Sequence, residues 1–259
     1  GNKMSQEDRM KMYFTTVLPK GVKTQERRIR ILPTKDGTTP FVEVKFHEIQ
    51  VDGKWVKLWD PAQEGKPSPL NEVAEGLKMT GREEDKELAK SYYSRKFYIV
   101  KVIDRENEQD GPKFWRFKHN GKGEGAIDKI IPIWRNKGDI TDPEKGRDLI
   151  LTLSLTKSGN GKEYTVISSV IPEDAGPLHT NPETASEWIA DEMVWTDAYS
   201  KKPEEYLEMV AKGETPKWSN EAKKWVSDSV GEGNITGTKT NEPLVDPQES
   251  EESSDDLPF

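Results

Sequence analysis

The chain has 259 residues, 32% of them hydrophobic and 33% charged, with a formal net charge of -8 and no cysteine. That length holds one large domain or one domain with appendages, and the low apolar content predicts that part of the chain stays outside any core. Disulfides and thiolate metal sites are excluded, and no apolar run approaches the ~20 residues that span a membrane, so a soluble cytoplasmic protein is expected.

Residues 1–26 are polar and weakly patterned and read as an N-terminal arm without a predicted element. From Arg27 the pattern becomes β: Arg28 and Arg30 alternate with Ile29 and Ile31 before Pro33, which predicts a strand with one apolar and one basic face. Residues 41–49 and 54–59 are two further strands around Asp52-Gly53, a pair suited to a tight hairpin turn. Residues 60–80, with three prolines and two glycines, read as a long loop or irregular subdomain, and 82–94 as a helix rich in Glu, Lys, Leu and Ala. Residues 97–104 and 113–118 are strands joined through Asp110-Gly111. Ile127, Ile130, Ile131 and Trp134 have the spacing of an amphipathic helix that Pro132 should kink or restart. Residues 149–156 and 162–171 form a hairpin closed by Ser158-Gly159-Asn160-Gly161, and helices are expected over 182–195, 203–212 and 219–230.

Many short antiparallel strands, one inserted helical region and cations interleaved with aromatics suit a mainly β (α+β) OB-type barrel. The predicted organisation is an arm over 1–26, a barrel over 27–179 with an insert at 60–95, an acidic helical region over 180–232 and a disordered acidic tail over 233–259. Residues 1–179 hold 32 Lys+Arg against 28 Asp+Glu, residues 180–240 hold 7 against 12, and residues 241–259 hold 7 acidic residues and no basic one. A mildly basic body with a polyanionic tail is the arrangement in which tail and phosphate backbone compete for one groove, although charge scatter alone gives the same totals.

Unpaired bases stack on aromatic rings while Lys and Arg neutralise phosphates, and neither contact depends strongly on base identity. The candidate DNA-binding residues are Arg28, Arg30, Tyr92, Tyr93, Arg95, Lys96, Tyr98, Lys101, Trp115, Arg116 and Lys118. In a strand only alternate residues share a groove, so Trp115 and Arg116 face opposite ways. Trp115 is the one expected at the groove; a core position for Trp115 and Phe117 fits the periodicity equally.

The motifs Ile29-Arg30-Ile31-Leu32-Pro33, Val51-Asp52-Gly53-Lys54-Trp55, Phe114-Trp115-Arg116-Phe117 and Ile127-Asp128-Lys129-Ile130 occur in this order. Over roughly residues 27–171 the chain resembles the single-stranded DNA-binding, helix-destabilising proteins of T-even bacteriophages. The resemblance implies an OB-fold protein that coats exposed strands during phage DNA replication, recombination and repair in the host cytoplasm, with Trp115 matching an aromatic DNA contact and Arg30 and Arg116 matching basic ones. Members often hold zinc through one His and three Cys. Here His47 falls where the His would be but the cysteines are absent, so no metal and no cofactor is expected. The family's basic cooperativity arm is replaced by residues 2–12, which include Glu7 and Asp8.

The last five residues, Asp255, Asp256, Leu257, Pro258 and Phe259, resemble the C-terminal peptide of bacterial single-stranded DNA-binding proteins, whose terminal ring and carboxylate are captured by partner proteins. That implies recruitment of replication or recombination proteins of polymerase, helicase-loader or recombinase-mediator type. Enzyme chemistry has no support: His47, His119 and His179 sit in no nucleophile or metal motif, Gly121-Lys122-Gly123-Glu124-Gly125 lacks the phosphate-loop ending, and the pairs Glu83-Glu84 and Glu204-Glu205 fall on predicted polar helix faces. A protein-interaction adaptor acting through the helices and tail, with the barrel as scaffold, is the alternative.

Overall fold

The computed structural model describes residues 6–199 and 201–228 and shows a mixed α+β protein that is mainly sheet. A short helix α1 (Gln6–Met10) leads into β1 (Tyr13–Phe14), followed by β2 (Thr24–Ile31), β3 (Val42–Val51) and β4 (Lys54–Trp59). After a helical turn at Pro61–Glu64 come α2 (Pro69–Met79) and α3 (Glu83–Tyr92), then β5 (Arg95–Asp104), β6 (Pro112–Lys118), α4 (Ala126–Lys137), β7 (Leu149–Lys157) and β8 (Glu163–Pro172). The C-terminal part holds α5 (Pro182–Ala190), α6 (Trp195–Ala198), α7 (Glu204–Ala211), β9 (Pro216–Ser219) and β10 (Lys224–Ser227).

β5 is the hub of the sheet. Its one edge carries β6, and its other edge is shared: Val42 to Phe46 of β3 pair with its first half, and Ile29 to Ile31 of β2 with its second. β2 continues to β7 and β7 to β8, all antiparallel, whereas β1 adds to β6 in parallel. The β3–β4 hairpin turns on Asp52 (φ 53°) and Gly53 (φ 72°), both left-handed, so two residues suffice and Val51 pairs with Lys54. Between β7 and β8 the register slips at Thr152/Leu153, a bulge that bends the pair.

Both faces of the central strands are buried. One packs Ile29, Ile31, Val100, Val102, Trp115, Phe117 and the leucines of β7 beneath α4. The other packs Val44, Phe46, Trp59, Phe97, Ile99 and Phe114 beneath Tyr13, Ala198 and Tyr199. The stripe on α4 is core as expected, with Ile127 and Ile130 buried and Ile131 and Trp134 packed beside them; Pro132 lies inside the helix on its exposed side without ending it. The box at its start, where Gly125 N donates to the Asp128 carboxylate at 3.0 Å, fixes its first turn.

Three expected elements differ. The helix expected over 182–195 ends at Ala190. Residues 60–80 are not an irregular loop throughout but contain α2, because Pro69 takes the first helical position, where its missing N–H costs nothing. The helix expected over 219–230 is replaced by the β9–β10 hairpin, in which Trp218 pairs with Trp225 and Lys223 adopts φ 51° in the turn; β-forming Trp225 and Val226 outweigh the helix-forming Lys and Ala beside them.

Candidate nucleic-acid interface

Strand alternation and register gather one face on β3 to β6, on which Phe46, Trp59, Phe97, Phe114 and Arg116 are buried and the margins are open. On β6, Phe114, Arg116 and Lys118 lie opposite Lys101, Ile99 and Phe97 of β5. Phe46, Glu48 and Gln50 of β3 lie opposite Trp59, Lys57 and Trp55 of β4. Cations and rings are therefore interleaved across four neighbouring strands. The Arg116 guanidinium sits 5.3 Å from the Phe46 ring and 4.7 Å from that of Tyr199, and the Lys101 ammonium 5.6 Å from the Phe114 ring. Lys118 pairs with Glu48 at 2.6 Å. Trp55, 51% exposed, forms the open end of the face. The other end is roofed by the stretch after α5, with a groove of about 340 Å³ between Leu32, Lys101 and Phe114 on one side and Trp188, Asp191 and Trp195 on the other.

A second, smaller group lies on the opposite side of β5. Lys96 pairs with Glu43 at 3.5 Å and stands 5.7 Å from the Tyr98 ring, whose hydroxyl is 3.2 Å from His119 Nδ1. Tyr98 also packs on Phe117 at 5.6 Å.

The structure thus brings Lys101, Arg116 and Lys118 together, and Lys96 with Tyr98, but scatters the other candidates. Arg28 is half exposed and pairs with Glu173 at 2.8 Å. Tyr92 packs against the cluster of Leu58, Leu70, Tyr206, Leu207 and Val210; Tyr93 donates its hydroxyl to Glu75 beneath Lys78; and Arg95 donates to the Lys90 carbonyl at 3.1 Å. Asp255, Asp256, Leu257, Pro258 and Phe259 lie outside the described residues.

Two expectations are corrected. Trp115 is 1% exposed, edge-on to Phe14 and against Phe117, so it is a core ring rather than a groove ring. Periodicity assigned it to one face of β6 without showing that α4 and β7 cover that face. Arg30 does point away from Ile29 and Ile31, yet it is 2% exposed: its guanidinium donates to the carbonyls of Asp142 and Gly176 at 2.9 Å each and pairs with Asp148 at 3.3 Å. Burial lowers its pKa from the ordinary value, with Asp148 opposing. Gly146 makes this closure possible, since a Cβ there would come within 2.6 Å of the guanidinium. Sequence reasoning passed over Trp55, Lys57 and Trp59; their ring-cation-ring alternation at period two was the signal.

The zinc of the resembling family does not fit at His47. Its Nδ1 donates to the Tyr92 carbonyl at 2.7 Å, while Nε2 lies 3.3 Å from Ser68 Oγ and 3.5 Å from the Asp60 carboxylate, so both ring nitrogens are engaged. Among the described residues there is no group of three or more His, Cys, Asp or Glu placed to hold a metal ion, and no helix long and apolar enough to cross a membrane.

A family model described as gp32 DNA binding protein like matches residues 23–212. No curated protein matches the chain.

Proposed function

The chain belongs to the gp32-like DNA-binding protein family, and from that premise we propose that it binds single-stranded DNA without sequence preference through the face of β3 to β6 that opens at Trp55. The observation that carries this reading is the interleaving of Trp55, Lys57 and Trp59 with Lys118, Arg116 and Lys101 over four adjacent strands. Rings accept bases at about 1–3 kcal/mol each and cations accept phosphates, while the flat spread of both favours an unstacked strand over a duplex. The reading extends to an OB-type groove that coats and protects exposed strands in phage replication, recombination and repair, holding DNA without cleaving it. Its acidic tip, Asp255 to Phe259, recruits replication or recombination proteins, and residues 241–259 compete with DNA for the same cations.

Titration with an unstructured thymidine oligonucleotide tests this, with tryptophan fluorescence followed at several salt concentrations and the matching duplex run in parallel. Quenching by the single strand should weaken as a power of salt, by about 0.7 in the exponent for each phosphate neutralised, with little response to duplex. Absence of any response at low salt would refute the reading and favour a protein-interaction adaptor. Deleting residues 241–259 should tighten binding, and equal affinity would remove the competition between tail and DNA.

A further inference from the structure

The roofed end of the face carries contacts that imitate a nucleotide strand. Between α5 and α7, the carboxylate of Asp191 accepts from Lys101 at 2.7 Å, as a phosphate would. Trp195 stacks on Trp59 with ring centres 5.1 Å apart and planes 26° from parallel, as a base would. Tyr199 lies over the Arg116 guanidinium at 4.7 Å. An anion on a lysine and rings on a ring and on a guanidinium are the contacts by which such a face holds unpaired DNA.

Up to Asp197 this stretch is weakly fastened, whereas Ala198 and Tyr199 beyond it are buried in the second core. It joins no strand of the sheet and contains only the four residues of α6 as regular structure. Body side chains hold its backbone: Lys35 donates to the Ala190 carbonyl at 3.1 Å, Lys101 to that of Asp191 at 3.1 Å, and the Tyr13 hydroxyl to that of Ala198. The groove of about 340 Å³ beneath it shows that its seat on Leu32, Lys101 and Phe114 is incompletely packed. Segments with few backbone bonds and open packing belong to the low-stability end of a fold and open first.

We propose that residues 191–197 are a strap, anchored at the buried Ala198 and Tyr199, that occupies part of the DNA face in the free protein and lifts when a single strand enters, uncovering Trp59 as a base-stacking site and Lys101 as a phosphate site. The inference rests on the single-stranded DNA reading above and adds residues to it that are covered before DNA arrives. The strap is internal to the folded body and separate from the acidic tail, so its effect persists when the tail is removed.

The test uses the full chain and a thymidine oligonucleotide. Asp191→Asn, which keeps shape and removes the charge, should bind about two- to fivefold more tightly, the scale of one partly exposed ion pair. Its salt exponent should equal that of the unmodified chain, since Lys101 takes a phosphate in both once the strap has lifted, whereas adding Lys101→Met should cancel the gain and flatten the exponent by about 0.7. Independently of any variant, amide hydrogen exchange at 191–197 should speed up when the oligonucleotide binds the unmodified chain. Unchanged affinity in Asp191→Asn, or slower exchange of 191–197 on binding, would overturn the strap while leaving the DNA reading intact. Failure of the unmodified chain to bind the oligonucleotide would overturn both.

Discussion

Asp60 is the knot by which the helical insert is tied to the sheet, and its removal should be among the most damaging single changes in the protein. It is 1% exposed at the end of β4. Its carboxylate accepts from Ala62 N at 3.0 Å, from Asn71 Nδ2 at 3.1 Å and 3.3 Å, and from Ser94 Oγ at 2.6 Å, and it faces His47 Nε2 at 3.5 Å. Asp60→Ala leaves these partly buried donors and the buried His47 without their shared acceptor, at no more than about 1–3 kcal/mol each, and because they share one acceptor the losses are not additive. A total of about 3–5 kcal/mol is expected, the range for breaking a buried polar pair. Urea unfolding followed by tryptophan fluorescence reads this as a midpoint lower by about 1 M or more, given slopes of roughly 1–3 kcal/mol per molar. A loss below about 1 kcal/mol would refute the knot. The acid limb gives a second test. Burial alone raises the Asp60 pKa, but hydrogen bonds from His47, Ser94, Ala62 and Ser68 outweigh it and hold the carboxyl below the usual carboxylate range. Its stabilisation is therefore full above the unfolded-state value of about 3.9 and drains away as pH falls below it, by at most ~1.4 kcal/mol per pH unit. The stability gap between the unmodified chain and Asp60→Asn should narrow between about pH 5 and pH 2 in consequence, and a constant gap would contradict the assignment.

Other substitutions separate structural from DNA-contacting roles. Arg30→Met should cost about 2–4 kcal/mol by orphaning the Asp142 and Gly176 carbonyls, while Asp148 keeps its paired contacts with Arg105 at 3.0 Å; the salt exponent of DNA binding should not move. Trp115→Ala should cost about 3–5 kcal/mol in urea unfolding, and Trp115→Phe should retain the full oligonucleotide-induced quenching. Trp55→Ala should do the reverse, changing stability by less than about 0.5 kcal/mol and weakening DNA by about 1–3 kcal/mol in titration, because its ring is half exposed at the open end of the face. If Trp115→Phe abolishes quenching while Trp55→Ala leaves affinity intact, the face has been assigned to the wrong side of the sheet.

Local signals were legible wherever a residue's own backbone or its near neighbours decide the outcome. Asp52-Gly53 specifies a two-residue turn because both positions need positive φ, and the observed hairpin follows. The i, i+3, i+4, i+7 stripe on α4 is buried because its period matches the helix. The 69–79 helix was hidden by prolines whose effect depends on where in the helix they fall, and the 216–227 hairpin by residues whose helix and strand preferences nearly cancel.

What alternation along β6 determined was that Trp115 and Arg116 face opposite sides; it could not say what lies over each. That depends on chain distant in sequence: α4 and β7 close over Trp115, Tyr199 lies over Arg116, and the 142–148 loop closes over Arg30. Burial is a property of the surface that two segments share, so the sequence alone determined strands, turns and the alternation of rings with cations. Only tertiary packing decided which of those rings and cations remain within reach of a ligand.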